Sequence, residues 1–156
     1  MRAFPDTSDG PVHELELHLP AVPEQVAAVR RRLDPLAAAS DLDEVARRDV
    51  ALVVSEACTN VVLHAYASSS LPQEERVLLV RARSRPGCLE IEVGDRGTGM
   101  AARDDSPGLG LGMPLIAALA DAVDVHERPG GGTELRLRFG ELPSAARAGG
   151  HLRSVG

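Results

Sequence analysis

The sequence predicts a two-layer α/β sandwich, in which three helices pack on one face of a mixed, mostly antiparallel sheet. Apolar residues recur at helical spacing in the first half of the chain and again after a glycine-rich stretch at 94–112. Elsewhere they alternate with polar residues, which is the pattern of strands with one face buried and the other facing water. The 156 residues are enough for one domain with a substantial core.

The first half of the chain contains one predicted strand and two predicted helices. Leucines alternate with polar residues over 15–19, which predicts a half-buried strand. Pro23 suits the beginning of the first helix, and Pro35 is expected to end or kink it. The second helix is expected to begin within 41–44 and to run to about Tyr66.

The second half is mostly strand. A hairpin is predicted over 76–83 and 88–95, where the hydrophobic period changes to two. The third helix carries apolar residues over 115–119, and two short strands follow at 122–128 and 133–139, joined by a turn of three glycines.

Both ends of the chain are rich in Gly, Pro, Ser and Ala without hydrophobic periodicity. Residues 1–12 are therefore expected to be a disordered segment and 140–156 a flexible tail, on either side of a domain over 13–139. No apolar run approaches the ~20 residues that span a membrane, and the N-terminus lacks the apolar region of a secretory signal. We therefore expect a cytoplasmic protein.

The composition excludes two large classes of phosphate-handling protein. All 17 basic residues are arginine, whereas P-loop NTPases and eukaryotic-type protein kinases place a lysine on the phosphates. The net charge of −6 argues against nucleic acid as the main partner. Cys58 and Cys88 are expected to be buried thiols, because a disulfide framework or a zinc site needs more cysteines at tight spacing.

Three polar residues, Glu56, Asn60 and His64, lie four apart on the second predicted helix. Residues at this spacing share one helical face, and the rest of the stretch is largely apolar. Asn60 offers a neutral oxygen of the kind that Mg²⁺ accepts beside phosphates and water, and Glu56 offers a base one turn away. A polar edge facing water explains this pair equally well. His64 is expected to be structural rather than a ligand.

The first glycine-rich turn follows the predicted strand 88–95. Asp95 closes the strand, and Gly97 and Gly99 follow at alternate positions. A strand-end carboxylate beside glycines, which let backbone approach a ligand, can accept a hydrogen bond from an exocyclic amine. A solvent-exposed turn with an aspartate cap is the alternative.

Two further glycine motifs are expected just before the third helix and the last strand. Gly108, Gly110 and Gly112 expose backbone N–H groups, and a helix N-terminus adds about half a positive charge, so together they predict a phosphate site. Helix capping is the alternative, although a cap does not need all three glycines. Thr133, after Gly132, places a hydroxyl where it can bridge to the base-binding carboxylate or simply close a turn.

Taken in order, these motifs resemble the ATP-binding boxes of the GHKL superfamily, which includes gyrase, histidine kinase and MutL-type ATPases. The matching motifs are Glu56-x-x-x-Asn60, Asp95-x-Gly97-x-Gly99, Gly108-x-Gly110-x-Gly112 and Gly132-Thr133. Within that superfamily the chain is most similar to the bacterial anti-sigma factor serine/threonine kinases, of which the stretches 55–60, 64–66, 110–116 and 119–121 are typical. The resemblance covers about residues 14–139.

This resemblance implies a Bergerat-type ATP-binding fold and an ATP- and Mg²⁺-dependent protein serine/threonine kinase that doubles as an anti-sigma factor. It implies that Glu56 is the catalytic base, that Asn60 holds Mg²⁺ and that Asp95 binds the adenine amine. The other implied ATP-binding residues are Gly97, Gly99, Gly108, Gly110, Gly112 and Thr133. The implied partners are an anti-sigma factor antagonist, which is phosphorylated on serine or threonine, and a sigma factor. A second copy of the chain is a further candidate, whereas nucleic acid and membrane are not expected.

Two other functions compete with the kinase. One is a non-catalytic ATP-binding interaction module that switches partners, against which Glu56 argues because a silent switch needs no base. The other is the detached catalytic domain of a histidine kinase, but no predicted helix presents a phospho-acceptor histidine on a dimerisation seam. The expected lid between Gly99 and Gly108 is short, and Arg103 is its only cation.

Overall fold

The structure is a computed structural model, and it describes residues 10–97 and 109–141. The strands are β1 His13–Pro20, β2 Val77–Arg85, β3 Cys88–Gly94, β4 Ala122–Glu127 and β5 Thr133–Gly140. The helices are α1 Glu24–Ala39, α2 Glu44–Asn60 and α3 Leu109–Leu119, with a π-helical segment, Val61–Ala65, directly after α2 and a short 3₁₀ turn at Gln73–Glu75. This arrangement confirms the predicted α/β sandwich.

The five strands form one sheet in the order β1-β2-β3-β5-β4. Every pairing among these described strands is antiparallel, so the expected mixed sheet is wrong in that detail. The reason lies in the position of β5. The crossover through α3 carries β4 back in the direction of β3, but β5 inserts between the two and runs antiparallel to both.

One face of the sheet forms the core with the three helices. Leu17, Val80, Val93 and Leu135 pair in register across four strands, and all four are buried. They belong to a single hydrophobic cluster that also takes side chains from α1, α2 and α3. With so few aromatic residues, the core consists mainly of Leu, Val, Ile and Ala, joined by Cys58, Tyr66 and Phe139, and its strand residues follow the alternation that the sequence predicts.

The opposite face carries rows of alternating charge. Glu16, Arg81, Glu92 and Arg136 lie side by side on four neighbouring strands. Arg81 Nη1 lies 3.0 Å from Glu92 Oε2, and Arg136 Nε lies 3.5 Å from Glu92 Oε1. Burial raises the pKa of Glu92, and the two arginines oppose that rise. The arginine-rich composition therefore serves cross-strand pairing on this face.

The second helix begins as predicted. The Asp43 side chain accepts a hydrogen bond from the Ala46 N–H at 2.8 Å, which is an ordinary N-cap. Beyond Asn60 the α-helical pattern gives way to the π-helical segment Val61–Ala65. Segments of this kind are rare and frequently lie at functional sites.

The structure also tests the predictions for Pro35 and for the two cysteines. Pro35 does not end α1, which continues to Ala39. Proline has no backbone N–H, so the carbonyl of Arg31, four residues earlier, has no helical partner. Because Arg31 is exposed, water can bind this carbonyl instead. Cys58 and Cys88 are free and buried as predicted, and burial raises their pKa values to about 12 and about 11. In the described part of the chain, no helix has both the length and the apolar character of a membrane span.

Candidate active site

The first half of the candidate site lies where α2 meets α3. Val53 and Val54 anchor α2 in the core, and the next turns carry Glu56 and Asn60. A Cβ placed on Gly112 would lie 3.2 Å from Asn60 Nδ2 and 3.5 Å from Glu56 Oε2. Both polar side chains therefore converge on the same stretch of α3 backbone, and the absence of a side chain at Gly112 leaves room for them.

Asn60 is not at a water-facing edge, because it is only 4% exposed. Its Nδ2 is buried and has no hydrogen-bond partner among the residues that the structure describes. An unpaired buried polar group costs about 1–3 kcal/mol, which a bound ligand would recover. A carboxamide can turn its oxygen toward a cation or its nitrogen toward a phosphate oxygen, so Asn60 fits a Mg²⁺–phosphate group.

The second half of the site is built around Asp95, directly after β3. The residue is 0% exposed. Its Oδ1 accepts a hydrogen bond from the Gly97 N–H at 2.8 Å, and its own N–H donates to the Thr133 carbonyl at 3.0 Å. Burial raises the pKa of Asp95, while backbone hydrogen bonds from Gly97 and Thr133 and the charge of Arg128 oppose that rise.

The other carboxylate oxygen, Asp95 Oδ2, is buried and has no hydrogen-bond partner within residues 10–97 and 109–141. A buried acceptor with this geometry can take a proton donor from a ligand, and an exocyclic amine supplies one. Among the described residues, the site thus contains an unpaired acceptor oxygen in one half and an unpaired carboxamide nitrogen in the other. Both fit the base and the phosphate–metal end of a bound ATP.

Two glycines hold the Asp95 turn by close backbone approach. A Cβ on Gly97 would lie 2.0 Å from the Ala65 carbonyl oxygen in the π-helical segment. A Cβ on Gly132, whose φ is +95°, would lie 2.0 Å from the Asp95 carbonyl oxygen. The turn is therefore packed between the end of the second helix on one side and the start of β5 on the other.

We expect Gly97→Ala to destabilise the protein by about 3 kcal/mol or more, because the added methyl meets backbone that cannot rotate away. Gly87→Ala is the matched control, since a Cβ there meets nothing within 4 Å and only its φ of +77° is unfavourable. The control should cost about 1–2 kcal/mol. Urea unfolding of both variants measures the difference, and equal losses would contradict the close packing of Gly97.

The predicted position of the glycines near the third helix is wrong in one respect. Gly110 and Gly112 do not precede α3 but lie in its first turn, because the helix already begins at Leu109. The first four N–H groups of a helix have no partner within it, so the corrected position still supplies free donors for an anion. Gly99, Gly108 and the expected lid with Arg103 fall outside the described residues.

Sequence reasoning assigned no role to two residues beside Asp95. Arg128 lies against β3, since a Cβ on Gly94 would be 2.9 Å from its Nη1, and its charge acts on Asp95. Tyr66 lies next to Ala65 and binds the Asp95 turn directly. The sequence offered two signals for Tyr66: it is the chain's single tyrosine, and it belongs to the stretch 64–66 that carries part of the family resemblance.

The chain is similar to a known protein family and to several known proteins. The family model described as a histidine kinase-like ATPase domain matches residues 19–139. The serine-protein kinase RsbW of Bacillus pumilus is 30% identical over 131 residues, which is 74% of this chain and 80% of that protein. The RsbW of Bacillus licheniformis is 32% identical over 127 residues, with 72% and 77% covered.

An anti-sigma F factor of Caldanaerobacter subterraneus is 29% identical over 123 residues, covering 72% of this chain and 78% of that protein. Among solved structures, the RsbU and RsbW domains of a Mycobacterium tuberculosis protein match with a TM-score of 0.56 at 24% identity. That match covers 80% of this chain and 32% of the other, and it supports the fold alone.

Proposed function

The chain belongs to the histidine kinase-like ATPase domain family, and we propose that it is an ATP- and Mg²⁺-dependent protein serine/threonine kinase acting as an anti-sigma factor. Its substrate would be a serine or threonine of an anti-sigma factor antagonist, and its regulatory target a sigma factor. The relatives named serine-protein kinase and anti-sigma F factor support this assignment. The observation that carries it is the convergence of Glu56 and Asn60 on Gly112.

In this proposal the two halves of the site divide the nucleotide between them. Asp95 accepts a hydrogen bond from the adenine amine through Oδ2, which is buried and unpaired in the described structure. The free N–H groups in the first turn of α3 face the phosphates. Asn60 would hold Mg²⁺, which supplies neutralisation of phosphate charge when bound.

Glu56 is the residue that we assign to the chemistry. Its half-buried carboxylate lies one helical turn from Asn60 and reaches the same point on α3. It would take the proton from the acceptor hydroxyl as that oxygen bonds to the γ-phosphorus of ATP. The bond from the γ-phosphorus to the bridging oxygen breaks in the same transfer, and ADP leaves with that bond's electron pair.

The first test concerns the recognition of adenine by Asp95. We expect Asp95→Ala to weaken ATP binding at least tenfold, because a buried hydrogen bond to a charged group contributes about 1.5–3 kcal/mol. Asp124→Ala, an exposed aspartate on β4, is the matched control and should bind ATP normally. Calorimetry decides the matter. Undiminished affinity in Asp95→Ala, or equal affinity of the wild type for GTP, would remove adenine recognition from this residue.

A further inference from the structure

Tyr66 directly follows the π-helical segment, and its side chain is only 3% exposed. Its hydroxyl donates to the Val77 carbonyl at 2.6 Å and accepts from the Val77 N–H at 3.0 Å. The same oxygen accepts a third hydrogen bond, from the Arg96 N–H at 3.0 Å. A phenolic hydroxyl has one proton to donate and two lone pairs, so these contacts use its whole capacity.

These bonds join three separate parts of the chain. Tyr66 directly follows the helical segment after α2, Val77 is the first residue of β2, and Arg96 follows Asp95 in the Asp95 turn. The neighbouring residue Ala65 contributes a fourth contact, because its carbonyl oxygen fills the space where a Cβ of Gly97 would lie. The Asp95 turn is therefore fixed to the helix end by a hydrogen bond and by packing.

The connection reaches the other half of the site through a short path. Asn60 is the last residue of α2, and the five residues of the π-helical segment are all that separate it from Tyr66. The segment thus links Asn60, which we place at the phosphate end of the nucleotide, to the Tyr66 hydroxyl, which binds the turn that we assign to adenine. Neither the proposed ATP contacts nor the proposed phosphate transfer involves Tyr66.

We propose that Tyr66 is a positioning residue for nucleotide recognition: its hydroxyl sets the Asp95 turn so that Oδ2 meets the adenine amine. The inference rests on the proposed ATP-binding role of Asp95 and adds a determinant of base selectivity. Loss of the hydroxyl leaves the Arg96 N–H without its partner, and the turn can then shift relative to the bound base.

The test compares Tyr66→Phe with the wild type for two nucleotides with Mg²⁺: ATP, and purine riboside triphosphate, which lacks the exocyclic amine. We expect Tyr66→Phe to lose about tenfold in ATP affinity and less than about twofold for the amine-free analogue, so that its preference for ATP collapses. In an Asp95→Ala background the same substitution should change ATP affinity by less than about twofold, because the pair acts as a unit. Tyr66→Phe with the full wild-type preference would overturn the inference.

A general loss of stability is separated from positioning by Val29→Ala, which removes core volume from α1. This variant should melt earlier but keep the wild-type preference for ATP over the analogue. If Val29→Ala lowers the preference as much as Tyr66→Phe, the role of Tyr66 is only structural. A wild type that shows no preference would instead refute the proposed role of Asp95.

A second measurement avoids substitution altogether. Because Tyr66 is the only tyrosine, growth on 3-fluorotyrosine places a single fluorine reporter at this ring. We expect its ¹⁹F resonance to shift when ATP binds and to move much less with inorganic tripolyphosphate, which lacks the base. An equal response to both ligands, or none to ATP, would overturn the link between Tyr66 and the base.

Discussion

Replacing Glu56 by glutamine should lower phosphate transfer to a partner serine by about 10²–10⁴-fold while leaving ATP affinity nearly unchanged. Glutamine keeps the size and hydrogen-bonding ability of the side chain but cannot accept the proton of the acceptor hydroxyl. Glu56 reaches the first turn of α3 beside Asn60, where the phosphates would lie, so its contribution should appear in the transition state rather than in nucleotide binding.

The experiment measures ATP affinity and phosphorylation of the antagonist protein in parallel. A gene neighbouring this one that encodes a small antagonist-like protein would be the natural source of that substrate. Glu44→Gln is the matched control, because Glu44 is exposed in the first turn of the same helix. It should transfer phosphate at the wild-type rate. Full activity in Glu56→Gln would contradict the assigned base.

The same assay separates the kinase from a nucleotide-dependent switch. A switch needs ATP binding, which we propose for Asn60 and Asp95, and it has no use for the carboxylate of Glu56. If the wild type binds ATP but phosphorylates no antagonist-like partner, the switch becomes the better account of the site. If the wild type transfers phosphate and Glu56→Gln does not, the switch is excluded.

The fold was predictable because its signals are local. Period-two alternation identifies β3 and β5, whose inward residues are all buried, and Asp43 shows where α2 begins. Local alternation does not reveal which strands become neighbours, and so the insertion of β5 between β3 and β4 was not predicted. The persistence of α1 beyond Pro35 also depends on its surroundings, because Arg31, whose carbonyl has no N–H partner at Pro35, is exposed to water.

For the candidate site, the sequence could predict that Glu56 and Asn60 lie together but not the environment that surrounds them. Helical spacing places Glu56 and Asn60 together, yet only packing against Gly112 decides that Asn60 is buried rather than at a wet edge. The role of Tyr66 depends on contacts to Val77 and Arg96, which lie 11 and 30 residues away in sequence. No local pattern encodes such contacts.

Replacing Asn60 by alanine should impair both binding and transfer, in contrast to Glu56→Gln. Asn60 is the buried carboxamide beside the phosphate end of the site, and its Nδ2 has no partner in the described structure. If its oxygen holds Mg²⁺, its loss removes a charge-assisted contact worth about 1.5–3 kcal/mol. We therefore expect affinity for ATP with Mg²⁺ to fall about tenfold or more, and transfer to fall at least about a hundredfold because the same metal positions the phosphates.

Metal dependence makes this prediction specific. In the presence of EDTA the wild type should lose most of its higher ATP affinity, so that the wild type and Asn60→Ala bind ATP with similar affinity. Thr59→Ala, one residue earlier on α2, should retain the wild-type response to Mg²⁺. A tenfold deficit of Asn60→Ala that persists unchanged in EDTA would assign Asn60 to the phosphate oxygens rather than to the metal. No deficit under either condition would remove Asn60 from the site, and the unpaired carboxamide would then need a different ligand.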